Sequence, residues 1–314
     1  MNSFASIFGL GVTVRNVLYN RRALKSRALR GPVISIGNIS VGGSGKTPFV
    51  IMLAELLVNR GVKCDVLSRG YGRKTKGVAL VDPDGVAREY GDEPLLIARR
   101  SKVPVIVGED RYEAGLFSEA KFGPQLHLLD DGFQHRALAR DFDIVLLTAE
   151  DLHDRLLPSG RLREPIDSVR RADAIALMNG ASSELLSLEK TLVWRADRGI
   201  QVNNVPSRPI AFCGIARPRL FVSQLIEAGV NPIAESFYRD HHAYTESDVN
   251  QLLELRDQNG ASGFVTTEKD AINLGGYAAA LEPLSVIPVT LKLLEEANAV
   301  DTMLHKIERR RHGA

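Results

Sequence analysis

The sequence is poor in cysteine and has no long apolar run, and each absence removes a class of protein. Only Cys64 and Cys213 occur among 314 residues, so we expect neither a disulfide framework nor a cysteine-based zinc site, and we expect a reducing cytosol. No apolar stretch approaches the roughly 20 residues that a membrane-spanning helix needs. With 44% hydrophobic and 25% charged residues, the composition is that of a globular protein, and the length favours two domains.

Acidic residues are missing from residues 1–30. That segment carries six basic residues, which leaves 34 basic against 38 acidic residues in the rest of the chain. Its apolar residues come first, with Phe4, Ile7, Phe8, Leu10, Val12, Val14, Val17 and Leu18. Its basic residues follow, with Arg15, Arg21, Arg22, Lys25, Arg27 and Arg30.

This order is the reverse of a signal peptide, so we predict a basic amphipathic helix over residues 1–30. Two interpretations stay open. The helix could lie in a membrane interface with its arginines on anionic head groups, or it could pack on the protein with a solvated basic face.

A glycine-rich loop lies between a predicted strand and a predicted helix. Pro32–Ile36 is a short apolar run with β-branched residues, Pro48–Arg60 has apolar residues at helical spacing, and Val62–Leu67 is the next strand. This strand–loop–helix–strand order predicts a parallel sheet with helices on both faces.

The loop is Ser40-Val41-Gly42-Gly43-Ser44-Gly45-Lys46-Thr47. Glycines let backbone amides approach phosphates, the lysine supplies a positive charge, and the following hydroxyl ligates Mg²⁺. The strict pattern has glycine where Ser40 stands, so a glycine-rich turn without nucleotide is the alternative. The flanking strand and helix favour a site for ATP and Mg²⁺, with Lys46 on the phosphates and Thr47 on the metal.

Further strands follow, and the pattern then predicts a second unit. The first unit is predicted over residues 31–190, with strands at Val103–Val107, Gln125–Leu129, Ile144–Leu147 and Ala174–Leu177. Residues 191–208 are predicted as a linker because turn-forming residues gather at their end. A second α/β unit is predicted over residues 209–314, with strands Ile210–Gly214, Ile233–Tyr238, Gly263–Thr267 and Ser285–Thr290 and helices Leu220–Ala228, Ser247–Asp257 and Glu295–Arg310.

Acidic and histidine side chains supply further candidates. Asp130 and Asp131 end an apolar strand, which is typical of the Mg²⁺-binding strand beside a phosphate loop, although a turn cap is the alternative. Asp92 precedes a predicted helix and is either its N-cap or a general base. His241 and His242 follow a strand; they are either surface residues or part of a site, and a zinc site is not expected because neighbouring side chains point apart.

Seven segments taken together resemble one family, the tetraacyldisaccharide 4′-kinases. They occur in the family's order over residues 30–275: residues 37–48, Ser68-Arg69-Gly70-Tyr71-Gly72, Gly91-Asp92-Glu93-Pro94, residues 130–135, Gly160-Arg161-Leu162-Arg163-Glu164-Pro165, Asp240-His241-His242 and Thr267-Glu268-Lys269-Asp270. The family's own loop carries Ser or Thr at the position of Ser40.

The resemblance implies an ATP- and Mg²⁺-dependent kinase whose acceptor is the 4′-hydroxyl of an acylated glucosamine disaccharide 1-phosphate, with lipid IVA as the product. It implies a peripheral protein on the cytoplasmic face of the inner membrane, and an active site between two α/β/α domains. By position, Lys46 and Asp92 are catalytic, His241 supports Asp92, and Glu164 joins Asp130 and Asp131 near the metal. An anionic membrane surface is the expected partner, nucleic acid is not, and a monomer is favoured.

Two rival functions remain open on the sequence alone. A membrane-associated regulatory ATPase of the partitioning type would have a signature lysine before its double glycine, where Val41 stands here. A soluble small-metabolite kinase would not explain the basic, apolar N-terminal segment.

Overall fold

The computed structural model describes residues 3–21, 23–182 and 191–313. In chain order its strands are β1 (Val33–Asn38), β2 (Cys64–Ser68), β3 (Ala79–Leu80), β4 (Val105–Val107), β5 (Leu126–Asp130), β6 (Phe142–Leu147), β7 (Ala174–Met178), β8 (Leu192–Ile200), β9 (Pro209–Cys213), β10 (Ala234–Phe237), β11 (Gly263–Thr267), β12 (Leu284–Ile287) and β13 (Val289–Leu293).

The α-helices of the same residues alternate with most of these strands. They are α1 (Ser3–Asn20), α2 (Lys46–Asn59), α3 (Ala87–Tyr90), α4 (Asp92–Ser101), α5 (Arg111–Phe122), α6 (Pro218–Glu227), α7 (Glu246–Asn259), α8 (Glu268–Leu274) and α9 (Glu296–His312). Short 3₁₀ segments occur at Ala149–His153, Ile166–Arg171 and Gly275–Leu281.

The strands form two sheets. The larger sheet has the order β13-β8-β7-β6-β1-β5-β2-β4-β3, and the smaller has the order β10-β9-β11-β12. All pairs in the smaller sheet are parallel, and the larger sheet is parallel except at its two edges, where β3 and β13 run antiparallel. The predicted class, a P-loop-type α/β sheet with a smaller α/β unit, is confirmed.

The central strands are buried on both faces, which explains their almost continuous apolar sequences. Every residue of β1, β5 and β6 is buried, as expected when helices cover both sides of a parallel sheet. Because β1 lies between β5 and β6, its carboxyl end meets the carboxyl end of β5. The loop after β1 and the acids at the end of β5 therefore share one edge of the sheet.

The boundaries of the two units differ from the prediction. Leu192–Ile200, inside the predicted linker, is a strand that pairs with β7, and the predicted strand Ser285–Thr290 is split at Pro288. Its first part lies in the smaller sheet, whereas β13 pairs with β8 in the larger one. Proline has no N–H to continue a ladder, so the chain changes sheets there.

The last helix also departs from the predicted division. It was predicted as part of the second unit, but Val300, Met303 and Ile307 of α9 pack in the core cluster that holds Ile34 and Phe49 beside the larger sheet. The helical pattern was predicted correctly, but periodicity alone does not say which sheet a helix covers. The predicted boundary at residue 190 lies outside the described residues.

The N-terminal segment is helical over Ser3–Asn20 and is docked by its polar side chains. Asn16 donates to Glu164 Oε2 at 2.8 Å, and Arg136 donates to Asn20 Oδ1 at 2.8 Å. Leu10 is 65% exposed, and Val14 is also exposed. Met1, Asn2 and Arg22 and the side chains of Phe4, Ile7 and Phe8, which the prediction included, lie outside the described part.

Candidate active site

The glycine-rich loop joins β1 to α2 with a backbone that glycine makes possible. Gly42 has φ 98° and Gly45 has φ 89°, values in the region that L side chains rarely adopt. A Cβ at Gly45 would also lie 3.3 Å from Met178 Cε. Helix α2 begins at Lys46 directly after the loop, so its free amides and helix dipole point toward the cleft. This arrangement can bind a polyphosphate.

Lys46 is held at the mouth of the loop by neutral and acidic oxygens. Its Nζ donates to Asn38 Oδ1 at 3.1 Å and lies 3.6 Å from Asp131 Oδ1. Asn38 also donates to Ser44 Oγ at 2.8 Å and to Ser40 Oγ at 3.3 Å, so the serine in place of glycine has a hydrogen-bonding role. The lysine is thereby fixed close to where the loop amides converge.

Asp130 and Asp131 lie at the carboxyl end of β5, next to the loop strand. Asp130 accepts a hydrogen bond from Ser68 Oγ at 2.9 Å, and burial together with the charges of Glu93 and Asp131 raises its pKa to about 7. Burial acts in the same direction on Asp131, but Lys46 and Arg163 outweigh it and hold the pKa of Asp131 well below its usual range. Neighbouring cations thus outweigh burial at Asp131, whereas at Asp130 Lys46 acts in the same direction without reversing the rise in pKa.

One observation indicates that these residues can bind a magnesium ion. Asp130 is a buried carboxylate, and two neighbouring acids destabilise its ionised form. A divalent cation beside Asp130 would stabilise that ionised form. Among the described residues, no group of three or more histidine, cysteine, aspartate or glutamate side chains forms a ready-made metal cage. Magnesium commonly keeps several waters and takes only one or two protein carboxylates besides phosphate oxygens, so Thr47 with one or both of Asp130 and Asp131 would suffice on the protein side.

Asp92 and His241 come from different parts of the fold and meet beside the cleft. Asp92 begins α4, which packs on the larger sheet, and His241 lies in the turn after β10 of the smaller sheet. His241 Nδ1 lies 2.8 Å from Asp92 Oδ2 and 3.0 Å from Asp92 Oδ1, and Asn273 donates to the same carboxylate at 3.1 Å. Burial would raise the pKa of Asp92, but the hydrogen bond from His241 and the charge of Lys269 hold it below its usual value. His241 has φ 58°, a strained conformation for a non-glycine residue. This conformation places its ring against Asp92.

The N-cap alternative for Asp92 is wrong, because Gly91 occupies the N-cap position of α4 and no side chain caps it. Asp92 is the first residue of α4 and its Oδ1 accepts the amide hydrogen of Glu93 at 2.9 Å, which is a local helix-start contact. The same carboxylate also bonds His241. The neighbouring His242 instead pairs with Asp248 at 3.1 Å and stacks on Tyr238, so it faces away from Asp92.

Glu164 is not brought to the predicted metal site. It is fully buried, and Arg171 pairs with both of its oxygens, at 2.7 and 2.8 Å. Gln134 and Asn16 donate to the same carboxylate at 3.1 and 2.8 Å. The assignment of Glu164 to the metal cluster is therefore corrected: its oxygens bind α1 and the 3₁₀ segment Ile166–Arg171 together, which neighbouring sequence could not reveal.

Replacing Glu164 by glutamine tests this correction. We expect the free energy of unfolding to fall by about 1–3 kcal/mol, because Arg171 loses part of its buried hydrogen bonding, and the Mg²⁺ concentration for half-maximal activity to stay unchanged. Thermal unfolding and a magnesium titration measure the two quantities. A large rise in the Mg²⁺ requirement with normal stability would restore Glu164 to the metal site.

Sequence reasoning missed two cations of the site. Arg163 donates to Asp131 at 2.8 and 3.0 Å and also to Asn38, although it stands beside the predicted Glu164. Lys269 lies in the first turn of α8 within 3.0 Å of Asp240. Both belong to segments that carried the family resemblance, but nothing in their local pattern says which acid they face.

The site lies in a cleft of about 1280 Å³ between the two sheets. One wall is the phosphate loop with Asp130 and Asp131, and the other carries residues after β9, β10 and β11, among them Arg217, His241 and Lys269. The fold and this loop define a P-loop enzyme of the nucleoside-triphosphate-using kind.

Comparison with known proteins gives the family. A family profile described as tetraacyldisaccharide-1-P 4′-kinase matches residues 1–308. The chain belongs to this family of phosphotransferases, and the resemblance inferred from the seven motifs is confirmed.

Individual relatives agree over nearly the whole length. The tetraacyldisaccharide 4′-kinase of Koribacter versatilis is 47% identical over 320 residues, covering 99% of each chain. That of Aquifex aeolicus is 38% identical and covers 87% of this chain and 89% of its own. A crystal structure of LpxK from Aquifex aeolicus in complex with ATP superposes with a TM-score of 0.78 at 35% identity, covering 97% of each chain.

Proposed function

We propose that this protein transfers the γ-phosphoryl group of ATP to the 4′-hydroxyl of a tetraacylated glucosamine disaccharide 1-phosphate, giving lipid IVA. The observation that carries the proposal is the pairing of Asp92, at the start of α4, with His241, which lines the cleft opposite the phosphate loop. Nucleotide binding alone needs only the loop. A proton acceptor on the opposite wall is what a kinase needs for an incoming hydroxyl.

Charge stabilisation comes from the loop side of the cleft. Phosphoryl transfer has a loose transition state with charge on the peripheral oxygens, so in-line positioning and fixed positive groups provide most of the rate. Lys46 and the amides of Gly43–Thr47 supply these groups here, and Asn38 fixes the lysine. Thr47 and Asp130 would hold Mg²⁺, which would neutralise charge on the phosphates.

The proton goes to the opposite wall. As the bond between the 4′-oxygen and the γ-phosphorus forms, the bond from phosphorus to the β–γ bridging oxygen breaks and ADP leaves. The hydroxyl proton passes to the pair formed by Asp92 and His241. Asp92 is only 5% exposed and lies behind the imidazole, so His241 is the member that reaches the cleft. Asp92 belongs to the unit of the larger sheet and His241 to the unit of the smaller sheet. Proton acceptance therefore depends on the two units being close together.

A transfer assay separates this function from its rivals. With γ-labelled ATP and tetraacyldisaccharide 1-phosphate in detergent, we expect label to move to the lipid in a Mg²⁺-dependent manner. Label found only as inorganic phosphate would support the regulatory ATPase instead. In a parallel reaction with a water-soluble sugar in place of the lipid, transfer to that sugar but not to the lipid would support a small-metabolite kinase.

We also propose that the protein acts at an anionic membrane surface, on the cytoplasmic face of the inner membrane, with α1 in the interface. In the part of the chain that the structure describes, no helix is long and apolar enough to cross a bilayer. Leu10, Val14, Val17 and Leu18 of α1 are all exposed while Asn16 bonds the buried Glu164, the reverse of a helix that covers a core. Arg21 and Lys25 follow at the end of the helix, where lipid phosphates could pair with them.

Changing the apolar face of α1 should weaken membrane binding. The double variant Leu10→Glu with Val14→Glu is expected to lower partition onto phosphatidylglycerol-containing vesicles at least about tenfold, since burial of each such side chain contributes about 1.5–3 kcal/mol. Val58→Glu, an exposed valine on α2, is the matched control and should leave partition unchanged. Equal sedimentation of the double variant and the control with vesicles would refute the role of α1.

A further inference from the structure

Lys269 lies at the centre of the acid and imidazole groups on the far wall of the cleft. Its Nζ is 3.0 Å from Asp240 Oδ1, 3.3 Å from His241 Nε2, 3.6 Å from Glu93 Oε1 and 3.8 Å from Asp92 Oδ2. Its side chain is only 15% exposed. A buried ammonium therefore touches both members of the proposed proton-accepting pair.

The chemistry of the donors fixes where the hydrogen sits on His241. A lysine ammonium can only donate hydrogen bonds, so at 3.3 Å the Nε2 atom of His241 has to accept. The ring hydrogen is then on Nδ1, which donates to Asp92. This leaves a neutral imidazole and an ionised carboxylate, a form of the pair that takes a proton at Nε2 once the ammonium gives up its hydrogen bond to that atom.

We propose that Lys269 is a positioning residue for the transfer reaction, which sets the tautomer of His241 and keeps the Asp92–His241 pair unprotonated until the acceptor hydroxyl arrives. This inference rests on the proposed function, because it assumes that the pair receives the proton of the acceptor.

The surroundings keep Lys269 charged. Burial alone would lower the pKa of its ammonium, but Asp92, Glu93 and Asp240 outweigh burial and raise that pKa above its ordinary value. The cation is consequently present throughout the neutral range, where the reaction has to run.

The same charge acts on both members of the pair. Burial lowers the pKa of His241, but Asp92 outweighs it and the net pKa is raised; Lys269 opposes that rise. Burial raises the pKa of Asp92, but His241 and Lys269 together hold it below its usual value. Glu93 and Asp240 face Lys269 from α4 and from the turn after β10. The neutral groups on the pair are the ring of Tyr71, 5.2 Å from that of His241, and the amide of Asn273.

The test compares pH profiles of kcat/KM for lipid phosphorylation. Removing the cation in Lys269→Met lets the pair take up a proton more readily, so the acidic limb should move upward by about 1 to 3 pH units, the usual effect of one nearby charge. Activity lost at pH 7 should then return in part at higher pH. Lys269→Arg, which keeps the charge, should restore a profile close to that of the wild type.

Arg100→Met is the matched control, because Arg100 carries the same charge and pairs at 2.6 Å with Glu268, the residue before Lys269, without touching the pair. Its acidic limb should not move. An unmoved acidic limb in folded Lys269→Met enzyme, with normal transfer by the wild type, would overturn the inference while leaving the proposed function intact. Absence of transfer by the wild type would instead overturn the proposed function.

A second readout needs neither turnover nor a stable variant. In the wild-type protein, a long-range ¹H–¹⁵N correlation spectrum of the histidine rings should show His241 protonated at Nδ1 and unprotonated at Nε2 at neutral pH. A hydrogen on Nε2 would contradict the proposed contact with Lys269.

Discussion

Asp92→Ala is expected to lower kcat by about 10²- to 10⁴-fold, the range that a general base contributes, with little change in the KM for ATP. The carboxylate bonds His241, the member of the pair that lines the cleft opposite the phosphate loop, so its loss should affect proton transfer and leave nucleotide binding intact. Steady-state kinetics with saturating lipid acceptor measure both constants. A variant with near-normal turnover would contradict the role of the pair.

The two adjacent histidines provide an internal control for the same experiment. His241→Ala should resemble Asp92→Ala, because it removes the group that bonds Asp92 at 2.8 Å. His242→Ala should keep most of the activity, since His242 pairs with Asp248 and stacks on Tyr238. If the His242 variant lost turnover while its thermal stability stayed normal, the assignment between the two histidines would be wrong.

Lys46→Met is expected to reduce kcat/KM for ATP by about 10²- to 10³-fold, the effect of removing one preorganised donor to a developing charge. Its ammonium is held 3.1 Å from Asn38 Oδ1 at the mouth of the loop. The side chain is therefore already positioned to contact the phosphates. The loss should also release Asp131 from one of the two cations that contact it.

Lys121→Met removes an exposed lysine of α5 and serves as the control for the loss of one positive charge. Its kcat/KM should equal that of the wild type. Equal activity of the two lysine variants would mean that the loop does not act on the nucleotide in the proposed way.

The sequence predicted most of the larger sheet because its signals are local. A β-branched run, a glycine loop and a helical pattern after Pro48 together require the strand–loop–helix unit that the structure contains. The acids Asp130 and Asp131 were predicted on the correct edge, since carboxyl ends of parallel strands meet there. The family motifs added the pairing of Asp92 with His241, which local physics left open.

What could not be predicted depends on long-range packing. The run Ser285–Thr290 looks like one strand, yet Pro288 lets the chain leave one sheet and enter the other. Glu164 looked like one more acid of the metal cluster, but its partner Arg171 lies on the following 3₁₀ segment and neutralises it in the core. The contact of Lys269 with His241 depends on how α8 sits against the turn after β10, which no spacing in the sequence reveals.

The position of the transferred phosphate tests the central claim most directly. After reaction with ATP, Mg²⁺ and tetraacyldisaccharide 1-phosphate, a ¹H–³¹P correlation spectrum of the purified lipid should show a second phosphomonoester coupled to the proton at the 4′ carbon of the distal glucosamine. A product with phosphorus coupled to another sugar proton, or a lipid with only its original 1-phosphate while ATP is consumed, would contradict the account.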